Sequence, residues 1–172
     1  MAKFFASGLS QGEKGLSIVD TVAPHDLRQA LRSMGINLED DGRMFATAEN
    51  DAAYCPGGSF QPDTLLAGVA AFCNQARDEG FAGGRVSGDM SWAVRNGVGT
   101  SDLLKYEVKA TDYVKTCPCI AVCEYDARKF DGATLMDVLS VHPVMIVRGQ
   151  AVKNPYYVPA KEFLAGHPEL GA

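Results

Sequence analysis

The sequence predicts an α/β fold: a three-layer sandwich with a mostly parallel sheet and helices on both faces. Three observations lead there. Short β-prone runs recur along the chain, separated by helical stretches of ten residues or more, which is the pattern of βαβ units. The run Ile120-Ala121-Val122-Cys123 is apolar without alternation, as expected of a strand covered on both faces. Polar residues stand where the strands run out, and in open α/β sheets that rim is where ligands bind.

Taken in order, residues 2–13 read as a helix with Phe4, Phe5 and Leu9 on one side, ended by Lys14-Gly15. Leu16-Ser17-Ile18-Val19-Asp20 reads as a buried strand. Pro24 suits a first helical turn. Leu27, Ala30, Leu31 and Met34 repeat at helical spacing, and Gly35 sits where a C-cap belongs. Residues 43–47 form a second short strand, followed by a loop through residues 54–60. Pro62-Asp63 opens the best-formed helix, with Leu65, Leu66, Val69, Phe72, Cys73 and Ala76 on its apolar face and Gly80 beyond its end. The stretch Gly84-Arg85-Val86-Ser87-Gly88-Asp89-Met90-Ser91-Trp92 reads as a strand emptying into a polar loop.

Residues 101–115 form a helix with Leu103, Leu104, Val108 and Val114 inward. Glu107 lies one turn from Leu103 and Leu104, hence at or beside the buried face. Glu124-Tyr125-Asp126 follows the apolar strand. A helix over residues 132–141 stops at His142-Pro143, because proline disfavours helix in the residue before it. Val144-Met145-Ile146-Val147 reads as the last strand, followed by Asn154-Pro155-Tyr156-Tyr157 and a short terminal helix.

A chain of 172 residues fits one domain with a substantial core. The net charge is −5, with lysine and arginine scattered, so direct nucleic-acid binding is not expected. No apolar run approaches the ~18 residues of a membrane span. No signal peptide is visible, and five cysteines, an odd number, suit a reducing cytoplasm. The chain contains no GxxxxGK[ST], so the amide nest and lysine that hold a triphosphate are missing and a nucleotide-hydrolysing enzyme is disfavoured.

Three chemistries remain. Cys117, Cys119 and Cys123 could bind a metal or an iron–sulfur cluster, with Cys55 or His142 as a fourth ligand, or act as a thiol redox sensor. Against one shared ion, Cys119 and Cys123 are four apart on a strand, a separation of about 13 Å. Cys123 and His142 could pair for nucleophilic catalysis, although His142 also suits a local helix-end role. The third chemistry is a non-enzymatic small-molecule site without metal or cofactor, lined by Asp89, Trp92, Glu107, Cys123, Tyr125 and His142. In it Asp89 and Glu107 supply charge or hydrogen bonds, and Trp92 and Tyr125 supply ring faces. The bland alternative has Asp89 capping the next helix and Trp92 filling the core.

The order of several motifs resembles the MEDS family, the sensory domain named for methanogens, methylotrophs and the regulator DcmR. They are Gly8-Leu9 with Gly12-Glu13, Ala53-Tyr54, Gly58 with Phe60, residues 85–93, Tyr106-Glu107, residues 123–126, Phe130, Leu139, His142-Pro143 and Asn154-Pro155-Tyr156-Tyr157. The resemblance implies a degenerate RecA/KaiC-like P-loop relative that senses small hydrocarbon derivatives or related cytoplasmic signals. It also implies output through a histidine kinase, an anti-sigma-type factor or a DNA-binding regulator. At this length the signal is expected to pass to a separate protein or to a second copy of the chain, as in a homodimer. Family members begin with a strand and a short loop ahead of the first helix read here, so the sheet is expected to lack one strand or to leave an edge for a partner. Asp89 stands where the family has glutamate, one methylene longer.

Overall fold

The computed structural model describes residues 1–38 and 42–170. Its first half runs α1 (Ala2–Leu9), β1 (Lys14–Val19), α2 (Pro24–Ser33), β2 (Phe45–Glu49), α3 (Asn50–Tyr54), a 3₁₀ turn (Pro56–Gly58) and α4 (Pro62–Asp78). Next come β3 (Gly84–Asp89), α5 (Ser91–Arg95), α6 (Thr100–Val114), β4 (Cys119–Glu124) and α7 (Gly132–Ser140). The chain ends with β5 (Val144–Val147), β6 (Gln150–Lys153), α8 (Ala160–Gly166) and a 3₁₀ turn (Pro168–Leu170). α1 is shorter than the helix expected over 2–13, because the chain turns through Gly12 at φ 80°.

β1 to β4 make one all-parallel sheet in the order β2-β1-β3-β4. The register sets Leu16 beside Val86 and Ala121, and Ile18 beside Gly88 and Cys123. Because side chains alternate along a strand, these rows share a face. Leu65 and Leu66 of α4 and Leu103 and Tyr106 of α6 gather with Ile18, Tyr54 and Trp92 in one core cluster. Phe5 and Leu9 of α1 and Leu27 and Leu31 of α2 gather with Phe45 in another. Each large apolar side chain fully buried this way is worth about 1.5–3 kcal/mol.

One expectation is corrected. Val144–Val147, read as the last strand, is followed by β6, and the two pair antiparallel in a two-stranded hairpin separate from the parallel sheet. The reason is local. Val147 faces Gln150 across a two-residue loop, and both loop residues have positive φ, Arg148 at 52° and Gly149 at 80°. That is the primed turn whose twist matches a hairpin. Among the described residues β4 therefore pairs on one side only, with β3, and its outer edge faces the hairpin across a gap.

The stretch Arg85–Trp92 is a structural hub. Arg85 donates to Glu13 at 2.5 Å and to the Phe4 carbonyl at 2.9 Å, tying β3 to α1. Ser87 and Ser17 share a buried hydrogen bond of 3.0 Å across the sheet. Gly88 is needed for close approach, since a Cβ there would lie 2.1 Å from the Tyr54 hydroxyl. Gly88→Ala is expected to cost about 1–3 kcal/mol by overpacking, read as a lower urea midpoint. An unchanged midpoint would mean that the Tyr54 ring gives way freely. No described helix is long and apolar enough to cross a membrane.

Candidate ligand-binding site

Glu107 is the chemical centre of the molecule. It sits in the middle of α6 on the face that carries Leu103, Leu104 and Val108, and it is 0% exposed. A buried carboxyl is tolerated only when donors surround it, and three elements bring them. Cys123, near the end of β4, donates through its thiol to Oε2 at 3.4 Å. Tyr125, just past that strand, donates its hydroxyl to Oε1. His142, after α7, places Nε2 3.3 Å from Oε2.

The His142 ring is held from behind. Its Nδ1 lies 2.8 Å from the Val138 carbonyl, one helical turn back, so Nδ1 carries a proton and Nε2 is aimed at Glu107. Burial disfavours the charged ring, but attraction to Glu107, the hydrogen bond to it and the Val138 carbonyl outweigh that and hold the His142 pKa above its ordinary value. The buried Asn154 fixes the turn in place by donating to the Leu139 carbonyl at 2.6 Å and the His142 carbonyl at 2.8 Å. These are the open carbonyls that a helix end must satisfy. Burial, and next the Glu107 charge, push the Cys123 thiol well above its ordinary range, so it remains a protonated donor rather than a nucleophile.

Of the six residues expected at a ligand site, Glu107, Cys123, Tyr125 and His142 come together. Asp89 and Trp92 do not join them. Asp89 accepts from the Thr21 amide at 3.0 Å, the Thr21 hydroxyl at 2.5 Å and the Ser91 amide at 3.0 Å. It borders a recess of about 20 Å³, too small for an organic ligand. Trp92 is 0% exposed, stacked on Tyr54 at 4.4 Å and packed against Phe60 at 4.8 Å. The indole offers no face to a ligand, because the helix that starts at Ser91 carries it straight into the core. Trp92 fills the core, and Asp89 ties the Thr21 loop to the start of the helix that begins at Ser91.

Burial alone would raise the Asp89 pKa, but hydrogen bonds from Thr21 and Ser91 prevail and hold it below the ordinary carboxylate range. A depressed folded pKa contributes stability that is complete above the unfolded value of about 3.9 and is lost as pH falls through the folded one. Asp89→Asn is expected to flatten that acid limb of the stability–pH curve, measured by urea unfolding between pH 2 and 6 (about the carboxylate range). An acid limb identical to that of the parent chain would remove Asp89 from this role.

Two adjoining cavities of about 490 and 340 Å³ lie between β4, α6, α7 and the hairpin. Both are lined by Ala121, Val122, Cys123, His142, Val144 and Ile146. Four of these are aliphatic, and the two polar ones belong to the Glu107 cluster. The hairpin's contribution was missed in the sequence, where the turn residues Arg148-Gly149 could have announced it.

The three-cysteine proposal fares differently. Cys119 packs with Cys73, Val69 and Val86, whereas Cys123 turns toward Glu107. Among the described residues, Glu107, Cys123 and His142 place potential ligand atoms within 4.8 Å of one another, and Cys117 and Cys119 are not among them.

Comparison with known families settles the kinship. The family model for MEDS, the methanogen/methylotroph DcmR sensory domain, matches residues 1–143. The chain belongs to the MEDS family. A search of curated proteins returned no match to this MEDS domain. The matched span holds Glu107, Cys123, Tyr125 and His142 and ends one residue after His142. The hairpin that closes the cavities, and the Asn154-Pro155-Tyr156-Tyr157 motif, lie beyond it. MEDS is a family of sensory domains.

Proposed function

We propose that this MEDS domain is a cytoplasmic, non-enzymatic sensor that binds a small organic molecule of the hydrocarbon-derivative kind. The observation that carries the reading is the slot itself: aliphatic walls from β4 and the hairpin, with His142 and Cys123 as the polar end, backed by Glu107. Small-molecule sites combine an apolar body with a few placed polar groups in this way. Ligand in the slot would bridge β4 to the β5–β6 hairpin, and the altered hairpin would be read by a separate regulatory protein. A histidine kinase, an anti-sigma-type factor or a DNA-binding regulator suits that role, as does a second copy of the chain. The all-parallel sheet without a triphosphate loop agrees with a degenerate RecA/KaiC-like ancestry and a three-layer arrangement. A thiol redox sensor built on Cys117, Cys119 and Cys123 finds less support, because Cys119 and Cys123 have different neighbours.

Thermal unfolding in the presence of short alcohols, aldehydes, amines and halogenated alkanes tests the reading. At least one class should raise Tm saturably; a ligand at a hundred times its Kd adds ~2.7 kcal/mol. Ala121→Trp, which fills the slot from the exposed edge of β4, should abolish the response and leave the ligand-free Tm nearly unchanged. No stabilisation by any class, or an unaltered response in Ala121→Trp, would overturn it.

A further inference from the structure

We infer that Glu107 Oε2, Cys123 Sγ and His142 Nε2 form a three-ligand site for a divalent ion of the zinc type, with a fourth position open to the cavity. The three atoms lie within 4.8 Å of one another. Two of the separations, 3.4 Å from sulfur to oxygen and 3.3 Å from nitrogen to oxygen, already match the spacing of ligands around a tetrahedral zinc, about 3.2–3.7 Å from its bond lengths. The third separation, from Cys123 Sγ to His142 Nε2, is no more than 4.8 Å.

The support around these atoms is what a metal site requires. A ligating imidazole gives its other N–H to a carbonyl or carboxylate, and His142 Nδ1 is bonded to the Val138 carbonyl. A ligating carboxylate is itself hydrogen-bonded, and Tyr125 occupies Glu107 Oε1, leaving Oε2 as the oxygen that faces both Cys123 and His142. Thiolate with imidazole selects zinc over the hard cations magnesium and calcium. Charge closes as well: one carboxylate and one thiolate neutralise a dication in a place where net charge would be costly. On binding, the Cys123 S–H bond breaks and its proton leaves to solvent, and a charged His142 releases the Nε2 proton too. Three protein ligands and an open position are the arrangement of zinc sites that take an exogenous donor. This inference shares the site assigned to the organic ligand, and it rests on that reading only in giving the open position to the ligand's oxygen, nitrogen or sulfur atom.

The test uses the full chain stripped with a chelator. Titration with Zn²⁺ against a chromophoric competitor should give one ion per chain, with at least one proton released into weak buffer. Titration with Co²⁺ should give a thiolate-to-cobalt charge-transfer band. Cys123→Ser and His142→Ala should each bind at least about tenfold to a hundredfold more weakly, the loss that outer-shell changes alone can reach. Cys117→Ser should bind like the parent chain. Absence of stoichiometric zinc, a cobalt complex without the thiolate band, or equal loss in Cys117→Ser and Cys123→Ser would overturn the site. Should the ligand variants unfold, the parent cobalt spectrum and Cys117→Ser still decide. The thermal scan with organic compounds, run with and without Zn²⁺, separates the two readings. A response in chelated chain that binds no zinc keeps the sensor and sinks the metal site; stoichiometric zinc without any organic response does the reverse.

Discussion

Glu107→Ala is expected to remove about 3–5 kcal/mol of stability, the cost of breaking a buried charged pair by deleting one partner. The loss has four parts in one place. The Tyr125 hydroxyl, the Cys123 thiol and His142 Nε2 all lose the acceptor they share, and the shortened side chain leaves a hole in the inner face of α6. For a domain whose total stability lies near 5–15 kcal/mol, that is a large fraction. Glu107→Gln, which keeps the shape and one carbonyl oxygen, should lose less. Urea unfolding of the chelated protein at fixed pH measures both; a loss under about 1 kcal/mol in Glu107→Ala would show that the three donors find other partners.

The same pair carries a pH signature. Its sign follows from the raised pKa of His142. The contribution is complete below the unfolded imidazole value of about 6.5 and disappears as pH rises through the folded one. Stability should therefore decline as pH rises above about 6.5, the unfolded imidazole value. Glu107→Gln, which removes the attraction that holds the ring charged, should flatten that decline.

Trp92→Ala is expected to cost about 3–5 kcal/mol, the usual loss when a fully buried large aromatic is truncated. The indole stacks on Tyr54 and touches Phe60, and Tyr54 and Phe60 both pack on Tyr106, so its removal opens the aromatic centre of the main core. The loss should be the same with or without an organic ligand. A variant of parent stability that had lost only its ligand response would return Trp92 to the binding site. Trp92→Phe should retain most of the stability, since it keeps a ring and deletes an indole N–H that has no protein partner.

The contrast between Trp92 and Glu107 explains what could be read from the chain beforehand. Both stand out in a sequence, one as the lone tryptophan and the other as an acid among inward-facing leucines. Helical spacing was enough to place Glu107 at the buried face, because the period of a helix is a local property. Nothing local says whether a tryptophan after a strand turns outward to a ligand or inward to a tyrosine that lies 38 positions earlier, at Tyr54. Asp89 poses the same problem. Its partner Thr21 is 68 residues away, so whether the carboxylate met a ligand or a neighbouring loop depended on how β1 and β3 align. The hairpin differs in kind: Arg148-Gly149 between two short β-prone runs is a legible turn, and reading Val144–Val147 as the last strand passes over the partner strand that follows it.

The sequence by itself determined the alternation of helices and strands, the inward face of α6, the end of α7 shortly before His142-Pro143 and the lack of a triphosphate-binding loop. Each follows from periodicity, from a proline or from a motif within a few residues, interactions that the chain cannot escape. Only the tertiary structure decided that Cys123, Tyr125 and His142 converge on Glu107 and that β4 faces a separate hairpin rather than another parallel strand. Those outcomes depend on side chains 16, 18 and 35 positions beyond Glu107 along the chain being brought within hydrogen-bonding range of one carboxylate. Parallel strand order and helix packing create that proximity, and the buried charge gives it a reason to persist.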